Sequence, residues 1–441
     1  MAANRCWAFW IVVFAAVFPA LVEATQNTLR FVNVVWRHGD RSPSDGTFPS
    51  DEAANGDSTW PQGFGELSDD GMKQHQYLGE YLRKRYVDSG FLSANYSAKE
   101  IHIRSSGYNR TIMSALSNLA GMYPTANDLL RGISVWQPIP VHSQPRETDP
   151  MLWMDYPCPK ADQLYAEVLA SAAVQQIESD NKEFLAFIKD KTGRAQMTLD
   201  DAWDVWDPVN CERIHNDTHT PPDWATDPVF ANMTYLSDLS TTFYYHDKGI
   251  QRFRGSLLFN DIAIRFDRKV NRPKEIQPEQ LKYYVYSAHD TTIIALLENL
   301  GAYDGHLPEY ASAVLVELHE KEPQHFTVET WYVNETLPST PPIRINVKGC
   351  DDQESGECDL QTFVKLANSH VPDDFNAECN MSSAPDATNV TAEPCRVGDQ
   401  SAMIAAIVLG ITTAFFLIAF LVVLFLYCQI VKSNKVGQVA Y

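Results

Sequence analysis

Between Asp399 and Lys432 the chain carries no charged residue, and Met403–Tyr427 within that stretch is almost wholly apolar. At about 1.5 Å per residue a helix over this run reaches roughly 37 Å, enough to cross a bilayer core with tilt. No polar alternation interrupts it, so the run predicts a transmembrane helix rather than the one-sided face of a core helix. Lys432 and Lys435 follow and no acid does, which puts the tail 428–441 on the cytoplasmic side. The bulk of the chain then lies in a lumen or outside the cell, as a type I single-pass protein. The other end agrees. Arg5, an apolar run from Cys6 to Pro19 and the small-residue pattern Val22-Glu23-Ala24 predict a secretory signal peptide over residues 1–24, too short to be a comfortable span. Residues 25–395 are left as the folded unit.

That unit is acidic. The 441 residues include 35 Lys+Arg against 56 Asp+Glu, a net charge of −21 and a pI near 4.9. Such a balance repels phosphate backbones and excludes general nucleic-acid binding, though not a local basic pocket. With 45% apolar and only 21% charged residues the chain has material for a substantial core. Of eight cysteines, Cys6 leaves with the signal peptide and Cys428 sits at the membrane edge. Cys158, Cys211, Cys350, Cys358, Cys379 and Cys395 remain in an oxidising compartment, which suggests three disulfides with fifteen pairings open. No CxxC or paired-His spacing supports a metal site. Sequons at Asn95, Asn109, Asn216, Asn232, Asn334, Asn380 and Asn389 imply a glycosylated surface.

Three strand-then-loop segments carry chemistry-bearing side chains. Leu29–Trp36 reads as a buried strand, followed by Arg37-His38-Gly39-Asp40-Arg41-Ser42-Pro43. Two Arg and a His at a strand's carboxyl end suit an anion site, because a guanidinium meets phosphate oxygens two at a time. Taken alone, the loop reads equally as a solvated turn. Glu100–Ser106 is a short strand ending near Arg104. It leads into a helix with Asn109 as N-cap, whose free amides favour anions. Arg104 alone reads equally as half of a surface ion pair, and Arg110, at the helix start, as a capping or pairing residue. Tyr283–Ala288, His289-Asp290 and Thr291–Gly301 read as strand, turn and helix, with Gly301 closing it. By itself Asp290 reads as an N-cap and His289 as a packed histidine.

Together the segments resemble the histidine acid phosphatases, a branch of the phosphoglycerate-mutase-like superfamily. The R-H-G-x-R-x-P signature is present as Arg37–Pro43 and the distant H-D pair as His289-Asp290. Pro61–Tyr86, Arg104–Ala115, Val135–His142 and Tyr286–Leu296 look like the prostatic and lysosomal branch, so the resemblance spans about residues 28–380. It implies that His38 attacks phosphorus and forms a phosphohistidine, that Arg37, Arg41, Arg104 and His289 bind the phosphate oxygens, and that Asp290 is the general acid. Three guanidiniums favour a neutral imidazole, which keeps His38 nucleophilic in acid, while a carboxylic acid at that pH holds the leaving group's proton. No cofactor is implied. The fold implied is α/β, with a doubly wound, mainly parallel sheet and a smaller helical domain inserted at about residues 145–250, where Ala161–Ile188 has helical spacing.

The resemblance also implies Cys350–Cys358 and Cys158–Cys379 disulfides. Relatives carry a Cys where this chain has Ala313, so Cys211 has Cys395 as a substitute partner or none. A glycan on Asn109 would crowd the phosphate site, and that sequon is left out of the expected glycan set. His142, His215, His219 and His246 are expected as surface or packing residues, with His215 and His219 as candidates to face the cleft. Acid phosphatase activity on small phosphate monoesters is the leading expectation. A narrower enzyme, such as a phytase or lipid-phosphate phosphatase, is the alternative, and an inactive membrane protein the third reading. The destination is the lysosomal or the plasma membrane; Tyr427-Cys428-Gln429-Ile430 has the form of a sorting signal, yet Tyr427 also suits the aromatic belt. A homodimer is the expected partner state, from related enzymes.

Overall fold

The first strand decides the layering. In the computed structural model, which describes residues 28–51, 60–124, 137–334, 341–350 and 356–380, β1 (Leu29–Arg37) is buried on both faces. Successive side chains of a strand point to opposite sides. Phe31 and Val35 enter one apolar cluster with the helices Ser256–Asn271, Asp290–Leu300 and Leu360–His370. Val32, Val34 and Trp36 enter another with the helices Asp69–Leu82 and Asn109–Met122. Helices therefore cover both sides of the sheet, as a parallel strand pair requires.

β1 pairs in parallel with β4 (Tyr283–Ala288), and β4 in parallel with β2 (Ile101–Ser105), which carries the short β3 (His142–Ser143) at its edge. On its other side β1 pairs antiparallel with β5 (Ala313–Glu322), which pairs antiparallel with β6 (His325–Val333). β7 (Ile343–Ile345) and β8 (Glu357–Asp359) both pair antiparallel with β6, giving the order β3-β2-β4-β1-β5-β6-β7. The sheet is thus mixed, where the sequence reading expects a mainly parallel one. The difference arises at the β5–β6 hairpin: Gln324 takes φ 66° in the turn, so a connection of a few residues reverses the chain and no crossover helix intervenes.

Between β3 and β4 the described elements are helical: Pro159–Leu169, Ala172–Asp180, Lys182–Thr192, Ala202–Ile214, Asp227–His246, Lys248–Phe253 and Ser256–Asn271. The stretch 161–188 is three helices rather than one, broken where Ser171 caps one start and Asn181 ends the next. Ile188, Val205, Val209 and Met233 form a cluster of this region's own, and Val174, Leu185 and Leu236 a second. Cys158–Cys379 ties the region's entry to a residue 221 positions on, and Cys350–Cys358 closes a loop of separation 8. Cys211 is buried as a free thiol. Cys395, Asn389, the predicted signal peptide and the apolar run 403–427 lie outside the described residues. Among the described residues no helix is long and apolar enough to cross a membrane. Asn95, Asn109, Asn216, Asn232 and Asn380 are exposed, whereas Asn334 is half-buried and its Oδ1 accepts from Glu309 N and Tyr332 OH.

Glu212, in helix Ala202–Ile214, is 1% exposed, and burial together with Asp51 pushes its carboxyl up to about 9. A folded value above the ordinary 4.5 means a contribution fully present below about pH 4.5 and lost progressively up to about 9. Glu212→Gln should therefore raise the melting temperature at pH 7.5 by on the order of 2 °C and leave it nearly unchanged at pH 4.5, read by paired thermal scans.

Candidate active site

The ladder holds three carboxyl strand ends level. Arg37 lies opposite Ala288, His38 N donates to Ala288 O at 3.0 Å and Ser106 N to Ser287 O at 3.0 Å. His38, Ser106 and His289 thus converge where chain connections leave the sheet, the usual position of a ligand crevice in an open α/β sheet. Gly39 allows the loop to close. A Cβ there would lie 2.3 Å from Gly71 O, and one on Gly71 2.2 Å from Asp40 O, so helix and loop meet backbone to backbone. His75, from the same helix, donates Nε2–H to Arg37 O at 2.9 Å and fixes the strand end. Burial holds it neutral, at about 3.

His38 is 1% exposed, and its Nδ1 lies 2.8 Å from Gly39 O. A carbonyl only accepts, so Nδ1 carries the proton and Nε2 keeps its lone pair. Burial, then Arg110, Arg41 and Arg37, hold His38 well below its ordinary 6.5. Arg41 is fully buried and meets Asp207 with two nitrogens at 3.0 Å each. Arg37 pairs with Asp290 at 2.9 Å, donates to Pro308 O and stacks over Tyr310 at 4.0 Å. Arg110 reaches Gly65 O at 3.3 Å and His289 Nδ1 at 3.5 Å. Among the described residues it has no carboxylate within ion-pairing distance. Ser106 Oγ sits 2.9 Å from His289 Nε2. Burial, with Arg110 next, holds His289 well below 6.5.

Asp290 departs from the sequence expectation. Burial would raise its carboxyl, but Arg37, then Arg41, outweigh that and hold it below the ordinary 3.8. Without ligand it is a carboxylate even in acid, not a proton store. It is also the first residue of its helix; the cap is His289, boxed with Thr292.

His38, Arg41, Arg110, His289 and Asp290 line one cavity of about 520 Å³, with Arg37 packed behind Asp290. Arg104 is not among the lining residues. Its Nη2 lies 2.6 Å from Asp149 and its Nη1 3.0 Å from Met151 Sδ. The reason is strand alternation: Ile101, Ile103 and Ser105 are buried on one face, and Arg104, one step off, leaves by the other. The third guanidinium is Arg110, on the helix after the strand. Asn109 is inside that helix rather than its cap, and its amide donates to Glu66 at 3.0 Å on the cavity wall. Neither His215 nor His219 lines the cavity: His219 stacks on Trp60 at 3.7 Å, and His215 donates to Asp40. Asp207 and Tyr310 went unread in the sequence, since only the fold brings them to the motif. Glu317, His319 and Glu329 could hold a cation by spacing, but Arg85, Lys321 and Arg344 already pair with the two carboxylates.

The description "Histidine phosphatase superfamily (branch 2)" matches residues 28–333. Human prostatic acid phosphatase is 38% identical over 366 residues, covering 82% of this chain and 90% of that one. Human lysosomal acid phosphatase is 37% identical over 397 residues, covering 88% of each. Among solved structures, the apo form of a Hafnia alvei phytase superposes with a TM-score of 0.62 at 17% identity, over 80% of this chain and 98% of that one; this shows a shared fold. The chain belongs to branch 2 of the histidine phosphatase superfamily.

Three guanidiniums and two neutral imidazoles around one cavity suit a tetrahedral oxyanion. Arg110→Ala should weaken inorganic phosphate binding at least about tenfold by titration calorimetry, since a charge-assisted contact is worth about 1.5–3 kcal/mol. Arg104→Ala should leave that affinity within about twofold and lower stability by about 3 kcal/mol, because it strands the buried Asp149.

Proposed function

We propose that this cleft hydrolyses phosphate monoesters in acid through a phosphohistidine on His38. The observation that carries the reading is a buried imidazole with a free Nε2, kept unprotonated beside Arg37, Arg41 and Arg110. Acid phosphatase relatives at 37–38% identity support the activity. The ester's phosphate docks on Arg110, which lacks a carboxylate, and competes with Asp290 for Arg37. His289 donates to a further oxygen. Nε2 attacks phosphorus as the ester P–O bond breaks, and the developing charge is met by fixed cations. Once the phosphate offsets Arg37 and Arg41, the effect of burial, which favours the neutral carboxyl, prevails at Asp290. Asp290 then takes up a proton and passes it to the leaving alcohol. In the second half, water attacks phosphorus, Asp290 accepts its proton, the N–P bond breaks and phosphate leaves.

The site's charges favour single-phosphate esters over the phytase alternative. Asp45 and Asp200 line the same cavity, with Asp155 and Asp204, whose carboxyls burial pushes up, and this acidic wall disfavours additional phosphates. A complete site argues against an inactive protein. The signal peptide, the type I membrane span at 403–427, the lysosomal or plasma-membrane destination and a homodimer belong to the same proposal, supported by the sequence pattern and the lysosomal relatives. So do the helical insert at 145–250 and glycans on Asn95, Asn216, Asn232, Asn334, Asn380 and Asn389.

His38→Ala should abolish turnover of p-nitrophenyl phosphate at pH 5; retained activity sinks the nucleophile. Because the His38 value is lowered, the acid limb of kcat should lie well below pH 6.5. Asp290→Asn should slow an alkyl phosphate by about a hundredfold and p-nitrophenyl phosphate by much less, since general acid catalysis contributes about 10²–10⁴-fold. Equal losses would remove Asp290 from that role. Inositol hexakisphosphate should be hydrolysed with a kcat/KM at least about tenfold below that of p-nitrophenyl phosphate, given the like charges on the cavity wall.

A further inference from the structure

Asp40 lies between the nucleophile and Arg41 and does no chemistry. It is fully buried and does not line the cavity. Its Oδ2 accepts from Ser68 Oγ at 2.5 Å and from His215 Nε2 at 2.6 Å. Its main chain is held as well, N by Gln74 Oε1 at 2.7 Å and O by Ser68 N at 3.0 Å. His215 ends the helix Ala202–Ile214, whose Asp207 holds Arg41 and also accepts from Ser44 N at 2.8 Å. One helix and its C-terminal residue therefore grip the motif loop at two points, Arg41 through Asp207 and Asp40 through His215. The second grip is open to solvent protons: a separate pocket of about 240 Å³, lined by Ser42, Trp60, Ser68 and Asp70, reaches His215.

We propose that His215 is a positioning residue for the nucleophile, holding Asp40 and through it the backbone that aims His38 and Arg41. The inference rests on the phosphohistidine reading. The groups facing His215 are Asp40 on the loop, Asp70 on helix Asp69–Leu82, Asp217 on its own segment, and the rings of Trp60 and His219. The hydrogen bond to Asp40 raises it above the ordinary 6.5 against the opposing effect of burial, with Asp70 and Asp217 adding to the rise. A charged, doubly strong bond thus holds the loop in acid and weakens as pH climbs past that value.

The test uses the full-length protein and p-nitrophenyl phosphate, with kcat and KM from pH 4.5 to 8 and thermal scans on each variant. His215→Leu should lower kcat at pH 5 about tenfold with KM within about twofold, a small misplacement being enough for such a loss. His215→Gln, which keeps a donor, should recover most of it. The gap between wild type and His215→Leu should narrow above pH 7, and the Leu, Asp40→Asn double variant should be no slower than the slower single. If His215→Leu fails to fold, His215→Gln carries the test, because its profile should lack the wild-type step above 6.5. Wild-type kcat in His215→Leu, losses that multiply in the double variant, or an unchanged profile in His215→Gln would overturn the inference. An active wild type with indifferent variants overturns this inference alone, and an inert wild type overturns the phosphatase reading with it.

Discussion

Three guanidinium groups, two of them buried, gather at one cleft and repel one another, and two buried carboxylates answer that repulsion. Asp207 meets Arg41 with both oxygens, and Asp290 meets Arg37. Arg110 has no carboxylate within ion-pairing distance among the described residues, which leaves its guanidinium to the cavity. Burial first, and then the same charge, keeps protons off His38 and His289, which lie 5.5 Å apart between centroids. An imidazole held below its ordinary value is thus a product of burial and of the Arg groups around it.

Holding such charges together needs a rigid support. The β1–β4 ladder provides it, with both strands buried on both faces and their carboxyl ends tied by His38 N to Ala288 O. Parallel pairing puts two strand ends, and hence His38 and His289, on the same edge. The antiparallel β5 then starts where β1 finishes, so Tyr310 packs beside His38 and under Arg37. From the helical region, Ala202–Ile214 alone offers Asp207 and His215 to the motif loop.

The balance between burial and Arg37 at Asp290 links binding to proton transfer. In the ligand-free protein the ion pair wins and the carboxylate is charged. On the mechanism proposed above, a bound phosphate weakens that pairing, and the acid then forms where a leaving group needs it. Glu212 shows the opposite balance: with Asp51 rather than an Arg beside it, it stays protonated and suits an acidic compartment.

Much of this was legible in the chain. The motif loop Arg37–Pro43, the His289-Asp290 pair, the strands β1, β2 and β4 and the helices after β2 and β4 are local patterns, set by side-chain periodicity and by the short reach of turn and cap residues. Arg104 and Arg110 show the limit. Both lie near a strand end, and only the alternation of β2 and the start of the next helix decide that the first turns to Asp149 and the second to the cleft. Asp207, Tyr310 and the Asp40 partner of His215 were beyond reach, because these contacts join residues more than 150 positions apart that carry no spacing relative to the motif. The direction of the Asp290 shift lay outside sequence reasoning for a related reason: it depends on the distance to Arg37, a quantity set by strand register. By itself the sequence determined the chemistry-bearing groups and the elements that carry them. Tertiary structure alone decided which groups meet and which are charged, because burial and separation in space, not position along the chain, set electrostatic energies.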